Sequence, residues 1–172
     1  MNTMRRRLAL LGALLLVSAA AGFAVQGHER TLSNGRIVLI ELAPVDPRSL
    51  MQGDYMALRF QADSQLPRPE AVAGRLPKMP TYAYLALDES GRARYVATGD
   101  VLPAPAGQIA LRLRARDGAY SIGPNAFFFQ EGQAEVYAPA RWGEFRVADD
   151  GKALLTDLRD AGLRRLGAAN RR

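Results

Sequence analysis

Eighteen consecutive residues without a charge, Leu8 to Val25, constrain this chain more than any other feature. They follow the basic stretch MNTMRRR and precede QGHER. At about 1.5 Å of rise per residue, a helix over this stretch is roughly 27 Å long, which matches the hydrocarbon layer of a bilayer. The three arginines Arg5, Arg6 and Arg7 predict that the N-terminus stays in the cytoplasm and that the rest of the chain is exported.

A cleaved signal peptide is the alternative interpretation of this segment. Leu8 to Val17 has the length of an apolar signal core, and Ala19-Ala20-Ala21 offers small residues for cleavage. The apolar run nevertheless continues through Gly22 to Val25 without a polar break. We therefore favour an uncleaved, single-pass anchor. Both interpretations place the remaining domain outside the cytoplasm.

Four segments follow from this assignment. Residues 1–7 form a basic cytoplasmic flank, 8–25 the transmembrane anchor, 26–160 an extracytoplasmic domain and 161–172 a basic tail that we expect to be solvated. Residues 1–25 carry three of the 23 basic residues and none of the 17 acidic ones, so the exported part has 20 against 17, or +3. This small excess does not indicate a nucleic-acid surface. The chain has no cysteine, so its fold depends on a packed core rather than on disulfides.

Short strands separated by turn residues fill the exported region and predict a mainly β, β-rich α+β domain. Asn34-Gly35 predicts a type I′ hairpin turn, because both residues tolerate positive φ. The run from Arg36 to Leu42 has almost no polar break and predicts a central strand. Asp88 to Gly91 and Asp149 to Gly151 predict two further hairpins.

The remaining elements are assigned from the same patterns. Gln108 to Ala115 alternates and predicts a strand with one wet face that carries Arg112 and Arg114. The stretch NAFFFQ predicts a buried strand, and EGQAEVYAPARW predicts a short helix. Residues 61–80 are rich in proline and polar residues and predict a long connection with one short helix near Pro69 to Gly74.

The stretch APVDPRSLMQGDYMALRF is the most structured motif in the chain. Asp46 suits an N-cap, Pro47 the first helical position, and Gly53 a turn end with positive φ. Residues 55–60 then alternate, which places Met56, Leu58 and Phe60 on the core face and Tyr55, Ala57 and Arg59 on the other. The same alternation places the Asp54 side chain on the core face, at the start of the strand. We favour a structural role for Asp54, which would bond the turn to the strand, over a ligand-binding or acid–base role.

A second stretch, WGEFRV, repeats the order glycine, acid, aromatic and strand at Gly143-Glu144-Phe145. Asp54 and Glu144, if brought together, would supply a carboxylate pair for acid–base chemistry. Only three positions match, and ordinary turn chemistry explains them as well.

These two stretches, with GKALLTDLRD, resemble the GDYXXLXY family of membrane-anchored bacterial proteins. The family motif is Gly53-Asp54-Tyr55-Met56-Ala57-Leu58-Arg59-Phe60 in this chain, with Phe60 in place of the final tyrosine. The resemblance implies a membrane-tethered bacterial domain. With the N-in orientation predicted from Arg5, Arg6 and Arg7, we expect the anchor in the inner membrane and the domain in the periplasm. The resemblance also implies frequent association with polytopic membrane proteins. It supplies no catalytic residue.

Several enzyme classes are excluded by composition. The chain lacks cysteine and has a single histidine, His28, at the membrane boundary, so a Ser-His-Asp triad and a metal site of several His or Cys ligands are ruled out. A signal-peptidase dyad fails because the position of its serine is Val45, and the lysines Lys78 and Lys152 lie beside prolines and in a turn. Asp149-Asp150 is typical of a turn former rather than a calcium site. We predict no metal site, no cofactor and no nucleic-acid partner.

The sequence therefore favours a membrane-anchored binding or accessory module over an enzyme. Its expected contacts are membrane lipid through the N-terminal helix and a polytopic membrane protein. The alternative is a cell-envelope hydrolase or glycan-binding domain that uses Asp54 and Glu144. No catalytic residue is assigned, and the hypothetical binding residues are Arg48, Gly53, Asp54, Tyr55, Arg59 and Glu144.

Overall fold

The computed structural model describes residues 3–44, 51–52, 55–68, 79–116 and 119–167. A long helix leads into a domain built mostly from strands. The described elements, in chain order, are helix α1 (Thr3–Asn34), strands β1 (Arg36–Glu41), β2 (Met51–Gln52) and β3 (Tyr55–Ala57), a 3-10 helix (Gln61–Gln65), strands β4 (Tyr82–Leu87), β5 (Arg92–Gly99), β6 (Gln108–Arg112), β7 (Arg114–Arg116), β8 (Ala119–Ser121) and β9 (Ala126–Phe128), helix α2 (Ala134–Tyr137), and strands β10 (Trp142–Val147) and β11 (Ala153–Arg159). The prediction of a β-rich domain after one apolar helix is confirmed.

Helix α1 extends well beyond the predicted anchor. Its part from Leu10 to Asn34 is long and apolar enough to cross a membrane, and its apolar segment is not covered by the domain. The hairpin predicted at Asn34-Gly35 is wrong, because the helix continues through Asn34 and the Gly35 N–H donates to the Thr31 carbonyl at 2.9 Å. A tight hairpin needs a strand on each side of its turn, and here the residues before Gly35 are helical.

Gly35 connects α1 to β1 at a point where its backbone lies close to the backbones of Thr31 and Val147. A Cβ at this position would lie 2.3 Å from the Thr31 carbonyl oxygen and 3.1 Å from the Val147 nitrogen. The Gly35 carbonyl also accepts a hydrogen bond from Arg146 Nη1 at 3.1 Å. The end of α1 is therefore bonded directly to β10.

The main sheet has six strands in the order β11-β10-β1-β5-β4-β6, and only the β1–β5 pair is parallel. The central position of β1 is confirmed. The predicted hairpins β4–β5 and β10–β11 are confirmed as well, with Gly91 and Gly151 both at φ +81° in their turns. Strand β6 ends at Arg112 and β7 begins at Arg114, so the predicted strand over 108–115 is divided at Leu113.

Two small sheets complete the domain, β2-β3-β9 and β7-β8. The alternation predicted after Tyr55 is confirmed, since Met56, Leu58 and Phe60 are all buried. The strand predicted in NAFFFQ is confirmed as β9. The prediction that this strand is buried is wrong, because β9 pairs along one side only and Phe128 is 74% exposed. The short helix predicted in EGQAEVYAPARW is confirmed as α2. Within the turn predicted from Asp46 to Gly53, the described residues Met51 and Gln52 form β2. The rest of this turn and the helix predicted near Pro69 lie outside the described residues.

Candidate functional site

The predicted site residues fall on separate parts of the molecule. Arg48, Gly53 and Asp54 lie outside the described residues. Tyr55 is on β3 of the small sheet, where its ring packs against Phe128 with centroids 5.8 Å apart. Arg59 is exposed, and its backbone carbonyl accepts a hydrogen bond from the Ala43 N–H at 2.8 Å. Glu144 is on β10 of the main sheet.

The two similar motifs meet through aromatic rings. Phe60, the last residue of the first motif, contacts Phe145 of WGEFRV edge to face, with ring centroids 5.4 Å apart and planes at 61°. A Cβ at Gly123 would lie 2.4 Å from Phe60 Cε2, and one at Gly143 would lie 3.2 Å from Cε1. Two glycines thus leave the space that the Phe60 ring occupies, and the contact belongs to the core.

Glu144 is fully buried and is held by two guanidinium groups. Arg159 Nε donates to Oε2 at 2.5 Å, and Arg165 donates to Oε2 through Nε at 3.0 Å and to Oε1 through Nη2. Arg159 is on the neighbouring strand β11, whereas Arg165 comes from the segment that follows it. Each carboxylate oxygen therefore accepts at least one charge-assisted hydrogen bond.

A turn after β11 brings Arg165 back to the sheet. The Asp160 carboxylate accepts bonds from the backbone N–H and Nε of Arg164, both at 2.9 Å, and the Leu166 N–H donates to the Leu158 carbonyl at 2.9 Å. The sequence predicts that the basic residues after 160 are solvated. Arg164 fits this prediction, since its side chain is 85% exposed. Arg165 does not, because it pairs with the buried Glu144.

Asp157 adds a second acid to this cluster. It is the cross-strand partner of Glu144, it is buried, and its Oδ2 lies 3.9 Å from Arg165 Nε. Two carboxyl groups thus lie beside two guanidinium groups. The alternation of Asp157 and Arg159 in LLTDLRD is a sequence signal that both side chains share one face of β11.

Burial by itself would raise the pKa of Glu144, but the hydrogen bonds from Arg165 and Arg159 outweigh it and lower that pKa below its ordinary value of 4.5. The same contact with Glu144 raises the pKa of Arg165. A buried acid whose pKa is lowered in this way stays ionised at neutral pH. It is poorly suited to donate a proton as a general acid.

The lowered pKa of Glu144 predicts acid sensitivity. Because the folded state binds this proton less readily than the unfolded state, the stabilisation is complete above the unfolded pKa near 4.5 and is lost as the pH falls through the lower folded value. We expect the melting temperature of the protein to change little between about pH 7 and 5 and to fall below about pH 4.5. Thermal unfolding across this range measures it. A Glu144→Gln variant with the same acid-side slope as the wild type would contradict the assignment to Glu144.

A groove of about 480 Å³, lined by both polar and apolar side chains, opens where β1 and β5 separate. These strands are paired at only two positions, Leu39 with Arg92 and Ile40 with Ala93. The 3-10 helix contacts both strands and forms one wall of the groove. Asp63 fixes this helix, since its carboxylate accepts hydrogen bonds from the Ser121 hydroxyl at 3.0 Å and from the Ile122 N–H at 2.8 Å.

Both signs of charge and an indole ring line this groove. The Gln61 amide faces the Glu41 carboxylate, and with its nitrogen turned toward the acid it donates to Oε2 at 2.9 Å. The Arg92 guanidinium lies 5.9 Å from the centroid of the Trp142 ring and also pairs with Asp88 at 2.8 Å. Hydrogen bonds, chiefly from the Ser90 hydroxyl, lower the pKa of Asp88 to about 2.

Sequence reasoning did not find this groove, because its polar residues come from five separate elements and turns and share no local motif. Its mixture of donors, acceptors and an aromatic ring suits a polar ligand or the polar side chains of a protein partner. Among the described residues there is no group of three His, Cys, Asp or Glu side chains that could hold a metal ion.

Comparison with protein-family models matches residues 17–158 to the GDYXXLXY protein family. The match begins within the apolar helix and ends in β11, so it covers the main sheet as well as the motif. Searches of curated proteins and of solved structures gave no match. A family match over well more than half of the sequence, together with the motif at positions 53–60, shows that this chain belongs to the GDYXXLXY family.

Proposed function

We propose that this chain is a membrane-anchored accessory module whose domain lies in the periplasm and binds a polytopic membrane protein of the bacterial inner membrane. The observation that carries the proposal is the direct bonding of α1 to the main sheet. The helix passes from its apolar segment to Gly35 without interruption, Thr31 is buried against the domain, and Arg146 donates to the Gly35 carbonyl. A domain fixed in this way is held at a set height above the membrane.

Such a fixed domain suits contact with a neighbouring membrane protein. The anchor carries small residues in ALLGALLL and AAAG, which allow close helix packing. The groove between β1 and β5 offers charged and aromatic side chains for recognition of the same partner outside the membrane. Once the helix has bound the partner in the membrane, the groove is held close to the same partner, which raises the effective concentration for the second contact.

The proposal predicts a stoichiometric partner. We expect the full-length, C-terminally tagged protein to copurify with a polytopic membrane protein from its native membranes in mild detergent. The control carries an unrelated single-pass helix in place of residues 8–25, and it is expected to recover less partner because the helix contact is lost. Recovery of the protein alone with its anchor intact would contradict the accessory role, and an N-terminus that begins near residue 22 would contradict the anchor.

The hydrolase alternative remains a separate prediction. It needs Glu144 to exchange protons with a substrate, but both carboxylate oxygens of Glu144 are bonded to guanidiniums and the side chain is buried. These contacts favour a structural role for Glu144. Asp54, the other member of the predicted pair, lies outside the described residues.

A further inference from the structure

A basic cavity lies where helix α1 leaves its apolar segment. The cavity has a volume of about 140 Å³, and its polar lining consists of His28, Arg112, Arg114 and Lys152. Among the described residues that line it, none is acidic. Three of these residues carry a full positive charge at neutral pH, so the cavity attracts anions.

The position of this cavity along α1 sets its depth relative to a membrane. Lys152 Nζ lies 3.7 Å from the point at which a side chain on Gly27 would begin. Gly27 and His28 follow Val25 by two and three residues, which is about 3 to 4.5 Å along the helix axis. Each headgroup layer of a bilayer is roughly 5 to 8 Å thick. If the apolar segment spans the bilayer, the cavity lies at the level of the lipid headgroups.

Acidic residues of the β10–β11 turn lie close to the basic cavity but line a different cavity. Asp149 and Asp150 line an adjoining cavity together with Arg30 and Lys152. The Asp150 carboxylate accepts a hydrogen bond from the Lys152 backbone N–H at 2.9 Å. The backbone carbonyl of Asp150 accepts one from Arg112 Nη2 at 3.4 Å. Among the residues that the structure describes, three cations and no carboxylate line the cavity with the arginines, whereas two cations and two carboxylates line the adjoining cavity.

We infer that this cavity binds the phosphate of an anionic phospholipid and so docks the domain on the membrane surface. The inference rests on the proposed membrane anchoring. Arg112 ends β6 and Arg114 begins β7, and both arginines line the cavity. Arginine pairs with phosphate through two parallel hydrogen bonds, which suits a headgroup better than a point charge alone.

The test uses the full-length protein in nonionic detergent and counts bound lipids by native mass spectrometry. We expect phosphatidylglycerol to bind at lower concentration than phosphatidylcholine of the same acyl chains. The double variant Arg112→Gln/Arg114→Gln is expected to weaken phosphatidylglycerol binding about 25-fold, since each cation near an anionic surface contributes about fivefold. Circular dichroism and a melting curve check that the variant is folded. If it is not, Arg114→Gln/Lys152→Gln replaces it.

The matched control is Arg68→Gln/Arg141→Gln, which removes the same charge from two exposed positions. Neither residue is in the lining of the basic cavity or of the groove between β1 and β5. This control is expected to bind lipid as the wild type does. An equal loss in both variants would overturn the site, because it would reflect overall charge alone.

Three further outcomes are decisive. Equal binding of the two lipids, or displacement of phosphatidylglycerol by inorganic phosphate at the same concentration, would overturn the lipid assignment. The mass of the protein chain, measured in the same experiment, shows whether the lipid assignment or the anchor assignment has failed. An intact chain without lipid preference overturns the lipid site alone, whereas a chain shortened by signal cleavage overturns the anchoring and, with it, the headgroup depth of the cavity.

Discussion

Replacing Phe60 by alanine is expected to lower the free energy of unfolding by about 4 kcal/mol. The ring is 2% exposed, contacts Phe145 edge to face and belongs to the main hydrophobic core. The neighbouring glycines Gly123 and Gly143 present backbone rather than side chains to the ring, so little can move to fill the cavity. Thermal unfolding of the full-length protein in detergent should show a melting temperature lower by roughly 12 °C.

Phe128→Ala provides the matched control. Phe128 is the same residue type and is also near the motif, but it is largely exposed on the edge strand β9. Its replacement is expected to change the stability by less than about 0.5 kcal/mol. Equal shifts in the two variants would show that Phe60 is not a core anchor and that the last motif position has another role.

Replacing Glu144 by glutamine is expected to lower the free energy of unfolding by about 3 kcal/mol, and the melting temperature by roughly 9 °C. The change leaves Arg159 and Arg165 beside a neutral amide in a largely dry environment. The value is at the low end for a broken buried ion pair because the Arg165 side chain is 42% exposed and can regain water. Thermal unfolding at neutral pH measures the effect.

The same experiment separates the structural role of Glu144 from the catalytic one. Glu89→Gln, the same chemical change at an exposed turn position, is expected to leave the melting temperature unchanged. Glu144→Gln should also speed tryptic cleavage after Arg165, because the bonds that hold this residue to the sheet are lost. A Glu144→Gln protein that is more stable than the wild type would instead indicate a functional carboxylate held at a cost in stability.

Much of the architecture could be predicted from local patterns. The apolar run of Leu8 to Val25 predicts a long helix because hydrogen bonds within a helix satisfy every backbone group. The turns at Gly91 and Gly151 predict two hairpins because glycine adopts positive φ without strain. The alternation after Tyr55 predicts the buried set around Phe60 because successive side chains of a strand face opposite sides.

The errors came from segments whose neighbours are distant in sequence. Asn34-Gly35 has the composition of a hairpin turn, but the nine residues before it continue the helix, and the contact of Gly35 with β10 decides its role. The apolar stretch at Phe127 and Phe128 has the composition of a buried strand, but β9 pairs on one side only and leaves Phe128 exposed. Composition does not show on which side of a strand a partner lies.

By itself, then, the sequence determined the apolar helix, the family motif and the β-rich class, since each depends on residues adjacent or regularly spaced in the chain. Only the tertiary structure decided that Glu144 is enclosed by Arg159 and Arg165, that β1 and β5 part to form a groove, and that Arg112 and Arg114 reach the level of His28. These sites join residues from separate strands and turns. Their geometry is set by sheet order and register, which local periodicity does not encode.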